Sequence, residues 1–177
     1  MTKRSLDLAG AALILLFALP AATVAQSVYA GFGASVPVGD FGDFADTGWL
    51  AVAGFGIPVG DAPIQVGAEG FYGQNNHSDV EGDKTNPYGV MGTVLYNVGS
   101  DDSIGPYLFG GAGLLVHKFS TDATEGGASE SQFGYQAGIG LDIPFGGSVA
   151  AWVEARYMGS KDTDFVGFLG GLSVGIG

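Results

Sequence analysis

Between residues 131 and 143 the chain changes character at every step. Phe133, Tyr135, Ala137, Ile139, Leu141 and Ile143 fall on one side, and Gln132, Gly134, Gln136, Gly138, Gly140 and Asp142 on the other. A period of two is that of a β-strand with one face against an apolar medium. The pattern returns at Ile64, Val66, Ala68 and Tyr72 against Gln65, Gly67 and Glu69, and at Val149, Ala151, Val153 and Tyr157 against Trp152, Glu154 and Arg156. Segments 86–98 and 105–118 alternate less cleanly, with Tyr88, Val90, Val94, Tyr96 and Leu108, Ala112, Leu114, Val116 as their apolar faces. Glycine, 33 of 177 residues, interrupts every potential helical stripe.

Turn residues divide the chain after residue 25 into eight such segments, at 27–36, 48–58, 64–74, 87–98, 105–118, 131–143, 148–158 and 165–176. The connections at 37–47, 75–86, 119–130 and 159–164 tend to be long and polar, whereas 59–63, 99–104 and 144–147 are short. This order describes an up-and-down antiparallel meander with both ends on the short-turn side.

The composition of the two faces decides where that sheet sits. A water-soluble barrel, the rival at the level of fold, turns its apolar face inward and covers the outside with ions. Here the second face is mostly glycine and amide, and the charges gather in the connections: Asp40, Asp43, Asp46; Asp79, Glu81, Asp83; Asp122, Glu125, Glu130; Asp162, Asp164. An apolar outside around a small-residue, polar inside is the pattern of an all-β, eight-stranded antiparallel up-and-down transmembrane β-barrel. In lipid no backbone group can stay unpaired, so the sheet must close on itself. Tyr29, Trp49, Tyr72, Tyr88, Tyr96, Phe119 and Phe165 fall near strand ends, where aromatic girdles are expected.

The beginning of the chain agrees with that destination. Lys3 and Arg4 precede an unbroken apolar run from Leu8 to Leu19, Pro20 ends it, and Thr23-Val24-Ala25 offers a cut before Gln26. This is the layout of a secretory signal peptide over 1–25, and the run is short for a membrane anchor. The barrel domain is then expected to span 26–177. With 6 basic residues against 18 acidic ones and a formal charge of −12, nucleic-acid binding is not expected. The absence of Cys excludes disulfides, thiolate catalysis and Cys-ligated zinc.

The stretch Gly33-Ala34-Ser35-Val36-Pro37-Val38-Gly39-Asp40-Phe41-Gly42-Asp43, followed by Thr47-Gly48 and a new strand, resembles the opening of small bacterial outer-membrane β-barrel proteins of the OmpA/OmpX-like class. The resemblance implies a monomer, inserted by the barrel-assembly machinery, with its long loops outside the cell. One departure is the ending Gly175-Ile176-Gly177, where that class ends in an aromatic residue.

Candidate chemistry is confined to a few residues. Segments 64–74 and 148–158, third and seventh in a ring of eight, face each other across the lumen, with Glu69, Glu154 and Arg156 near mid-strand. A buried Arg needs a carboxylate partner, so Arg156 is expected to bridge Glu69 or Glu154 and plug the bore, with Gln65, Gln132 and Gln136, and then Thr93, Asn97 and Tyr107, as further lumenal groups. The same network can be read as a gate in a small porin-like channel. His77, Ser78 and either Asp79 or Glu81 can be drawn as a lipid-hydrolase triad, but triads are made by geometry, not adjacency. The acidic loops lack EF-hand spacing, and solubility or cation-bridged contact with lipopolysaccharide accounts for them. Each Gly-x-Gly pair at 31/33, 54/56, 111/113 and 138/140 lies within a strand, without the third glycine of a nucleotide loop. The sequence therefore points to a non-enzymatic outer-membrane protein with a structural or surface-interaction role and no cofactor.

Overall fold

The computed structural model describes residues 26–77, 83–98, 104–120, 129–161 and 163–176. Eight strands follow one another: β1 (Gln26–Val38), β2 (Gly48–Pro58), β3 (Ile64–Asn76), β4 (Lys84–Asn97), β5 (Gly105–Ser120), β6 (Ser129–Pro144), β7 (Val149–Gly159) and β8 (Asp164–Ile176). Each pairs antiparallel with its neighbours in sequence, and β1 pairs with β8 from Gln26 opposite Ile176 to Val38 opposite Asp164. The sheet is thus a closed barrel with no free edge. Its strands run further into the long connections than periodicity alone indicates, β3 to Asn76 and β4 from Lys84, β5 to Ser120 and β6 from Ser129. Cross-strand pairing such as Asn76 with Lys84 and Lys118 with Ser129 continues in polar sequence, because ladder hydrogen bonds need no apolar face.

The apolar alternation points outward. Val66, Val90, Val94, Leu108, Leu114, Phe133, Ile139, Leu141, Val153, Phe168 and Leu172 all expose their side chains on the outer wall. In water such a wall would be a continuous aggregation surface; against hydrocarbon it is the favourable one. Phe32, Trp49, Tyr72 and Tyr88, one from each of β1 to β4, stack in sequence around the outside with ring centroids 5.7, 5.6 and 6.4 Å apart. Tyr135 and Tyr157 form a similar pair on β6 and β7.

Three of the expected girdle residues are not on that wall. Tyr29 and Phe165 point into the lumen, Phe165 fully buried. Phe119 pairs with the buried Thr85, which places it on the inner face at the outer end of β5. In each case the alternation along the strand overrides nearness to its end: Tyr29 shares a face with Ser27, Gly31 and Gly33.

The interior also differs from a lining of glycines and amides. Leu50, Phe71, Met91, Leu115, Met158, Phe165 and Leu169 form a buried apolar core in the half of the lumen towards the long connections. Ser35, Asn75, His117 and Ser160 lie beyond it, near the mouth. Between β1 and β2, a short 3-10 turn (Gly39–Asp43) folds against the ends of β1 and β8 and buries Phe41. A bore of eight strands is narrow enough for side chains to fill, and apolar ones do so without polar partners.

Glycine makes this filling possible. Trp152 lies across Gly171, its partner on β8, where the sheet leaves no room for a Cβ. Tyr29 lies across Gly54 of β2, where an added Cβ would stand 2.6 Å from the phenol oxygen. Replacing Ile139 on the outer wall by Arg should cost about 2–4 kcal/mol if it lies near the bilayer midplane. Refolding into phospholipid vesicles, followed by the heat-modifiable shift on gels, should show a reduced folded fraction.

Candidate functional site in the lumen

Below the apolar core, towards the short turns, lies a layer of charge. Arg156 of β7 and Glu69 of β3 are each only 2% exposed, deep inside the barrel. Arg156 Nη1 pairs with Glu69 Oε1, and Nη2 donates to Glu69 Oε2 at 3.0 Å, so the guanidinium grips the carboxylate with two parallel bonds. Its Nε pairs with Glu154 Oε1, two residues away on the same face of the strand. Nη1 also donates to Gln136 Oε1 at 3.0 Å, and the cation lies 5.0 Å from the centre of the Phe109 ring.

Two phenols complete the layer. Tyr29 donates to Glu69 Oε2 at 3.2 Å, and Tyr107 donates to Glu154 Oε2 at 3.1 Å. Gln136 Nε2 donates to Glu69 Oε1 at 3.4 Å. A charge in a low-dielectric interior is tolerable only when its hydrogen-bonding capacity is met. That requirement explains why amide and phenol donors surround the carboxylates, and why the cation is Arg, whose planar fork can serve Glu69, Glu154 and Gln136 together.

Four of the six sequence-derived lumen residues, Glu69, Gln136, Glu154 and Arg156, therefore form one cluster. The other two lie apart from it. Gln65 faces the lumen nearer the short turns, where its Oε1 accepts from Ser27 Oγ at 3.4 Å. Gln132 pairs with Leu115, on the far side of Gln136 towards the long connections. Each lies four residues along its strand from a member of the cluster, Gln65 from Glu69 and Gln132 from Gln136, a distance of about 13 Å along the strand. Tyr29 and Phe109 were missed, although each shares a strand face with glycines and so carried the signal of a lumenal position.

The imidazoles do other work. His77 Nε2 lies 2.8 Å from Thr85 Oγ1, and its ring meets Phe44 edge to face. Ser78, Asp79 and Glu81, its suggested triad partners, lie outside the described residues. His117 Nε2 lies 3.1 Å from Ser160 Oγ, but both residues are buried and Ser160 Oγ donates to the Thr163 carbonyl. Among the described residues no three metal-ligating side chains converge.

On the short-turn side of the charged layer the lumen opens into a cavity of about 240 Å³, walled by Glu69, Tyr107, Asp142, Trp152, Glu154 and Arg156 and reaching Ser27, Asn97 and Ser173 near the strand ends. Thr93 also lines it.

A closed eight-stranded barrel with an apolar outer wall and an ion-paired interior defines a small membrane-spanning β-barrel protein. Residues 9–175 match the family described as the outer membrane protein beta-barrel domain, and the chain belongs to that family, which places it in the outer membrane. It is 27% identical over 144 residues to a 22 kDa outer membrane protein of Rhizobium leguminosarum bv. viciae, covering 79% of this chain and 66% of that relative, somewhat less than two-thirds of its length. Among solved structures, Neisserial surface protein A has the same fold, with a TM-score of 0.64 at 16% identity over 84% of this chain and 96% of that one. The attachment invasion locus protein Ail of Yersinia pestis gives 0.54 at 16% identity, over 86% of this chain and 99% of that one. The N-terminal barrel domain of Pseudomonas aeruginosa OprF gives 0.55 at 15%, over 85% and 97%.

Removing the one cation of the buried cluster should be far more damaging than removing all three charges. Arg156→Ala leaves Glu69 and Glu154 buried without a counter-ion, a loss of about 3–5 kcal/mol. The triple variant Glu69→Gln, Glu154→Gln and Arg156→Met should recover much of it. Urea unfolding of the refolded barrel, comparing the single and triple variants, measures the difference.

Proposed function

We propose that this protein is a non-enzymatic, plugged outer-membrane barrel whose role is structural or lies in surface interaction through its acidic outer connections. The observation that carries this reading is the stacking of two closures in one lumen. The Glu69–Arg156–Glu154 layer spans the bore, and the plug from Leu50 to Leu169 fills the half above it. An ion crossing such a lumen would have to break a buried ion pair and then shed its own water to pass an apolar layer, and each step is costly. The porin-like alternative needs both layers to move.

The charge of the protein narrows the partners. After loss of 1–25, taken as a signal peptide, the chain keeps only Lys84, Lys118, Arg156 and Lys161 as cations. An acidic rim, with Asp40 and Asp43 exposed in the first long connection, meets the phosphates of lipopolysaccharide through bridging divalent cations. The apolar wall meets membrane lipid, insertion is by the barrel-assembly machinery, and the protein acts as a monomer. Ail has been solved in complex with the heparin analogue sucrose octasulfate; the acidic outer connections of this chain are unsuited to such a polyanion.

Planar-bilayer recordings test the plug. The wild-type barrel and Arg156→Ala should both give no discrete conductance steps, because the apolar layer stays in place. Stepwise openings that appear in Arg156→Ala would establish the channel reading instead. Incubation with phospholipid or lipid A should return the lipid unchanged.

A further inference from the structure

The charged layer balances poorly on one side. Arg156 is the only basic residue on the walls of the short-turn cavity, where Glu69, Glu154 and Asp142 supply three carboxylates. The other cations of the barrel domain stand at the opposite end, Lys84 at the start of β4, Lys118 at the outer end of β5, and Lys161 between β7 and β8. Glu69 is held by Arg156, Tyr29 and Gln136. Glu154 shares the same guanidinium. Asp142, half-buried on β6 directly opposite Trp152, takes no part in an ion pair with a described residue.

We propose that this cavity binds a small alkyl diamine, with one ammonium on Asp142 and the other on Glu154. Four features carry it. The cavity of about 240 Å³ suits a short aliphatic chain and is closed at its inner end by the Arg156 layer. Its two carboxylates are set on neighbouring strands at a diagonal position, Asp142 opposite Trp152 and Glu154 two residues further, a Cβ separation of about 7 Å that a four-carbon diamine can bridge. The rings of Trp152 and Tyr107 line the walls, and aromatic faces attract cations while covering methylenes. Two positive charges neutralise the excess left after Arg156 is counted. A bare divalent metal ion fits less well, since no three ligating side chains converge among the described residues. The site opens towards the short turns, the periplasmic side of such barrels, so its ligand would come from the periplasm. The inference is independent of what the outer loops bind.

Trp152 makes the test direct, because the chain has only two tryptophans and Trp49 lies on the outer wall, stacked on Phe32 and Tyr72. In Trp49→Phe, refolded in a non-ionic detergent, 1,4-diaminobutane should change the Trp152 emission saturably. The uncharged 1,4-butanediol should not. Asp142→Asn should weaken binding at least tenfold, whereas Asp61→Asn, in the exposed turn between β2 and β3, should leave it unchanged. Equilibrium dialysis of labelled 1,4-diaminobutane with the unmodified barrel should give one site and does not depend on any variant folding. A response that never saturates, an equal response to magnesium chloride, or undiminished binding by Asp142→Asn would overturn the proposal. Conductance is read separately, so loss of this site leaves the plugged-barrel reading untouched, and the converse also holds.

Discussion

The pairing of β1 with β8 is the constraint from which the rest of the molecule follows. Each backbone N–H and C=O in the hydrocarbon needs a partner within the protein, and a meander that did not close would leave two rows of them bare. Closure from Gln26 opposite Ile176 to Val38 opposite Asp164 removes both edges. Once the ring is closed, alternate side chains have only two destinations, lipid or lumen. The outward set is selected for greasiness alone, while the inward set has to fill a narrow cylinder without leaving voids or orphaned polar groups.

The filling uses a simple complementarity. Tyr29 lies opposite Gly54, Phe71 opposite Gly89, Tyr107 opposite Gly140, Phe109 opposite Gly138, and Trp152 opposite Gly171. Each large ring reaches over a neighbour with no side chain, and the aromatic ring covers the glycine's backbone. The abundance of glycine, which destroys helical periodicity in the sequence, is thus the counterpart of the lumenal aromatics. From the outer mouth inward the lumen holds polar groups, a buried apolar core, an ion-paired layer, and then a cavity walled by Tyr107 and Trp152.

The ion-paired layer is best understood as a specificity device. A fully apolar lumen can slide by one register with little penalty, whereas an Arg that must reach Glu69 on β3, Gln136 on β6 and Glu154 on β7 fixes three strands relative to one another. A slip of one residue on any of them would turn its charge to lipid.

The alternation of residues, read without any structure, determined the class of fold, the eight strands to within a few residues, the outward-facing wall and the lumenal placement of Glu69, Glu154 and Arg156. All of these follow from a period of two, which is local information. The sequence did not reveal that Gln65 and Gln132 stand apart from the charged layer, that Tyr29 and Phe165 are interior residues, or that half the lumen is apolar. Those depend on the stagger between strands distant in sequence: which residue meets Arg156 is decided by how the ring of eight closes. Periodicity assigns a face to each side chain, and only the closed barrel assigns it a height and a neighbour.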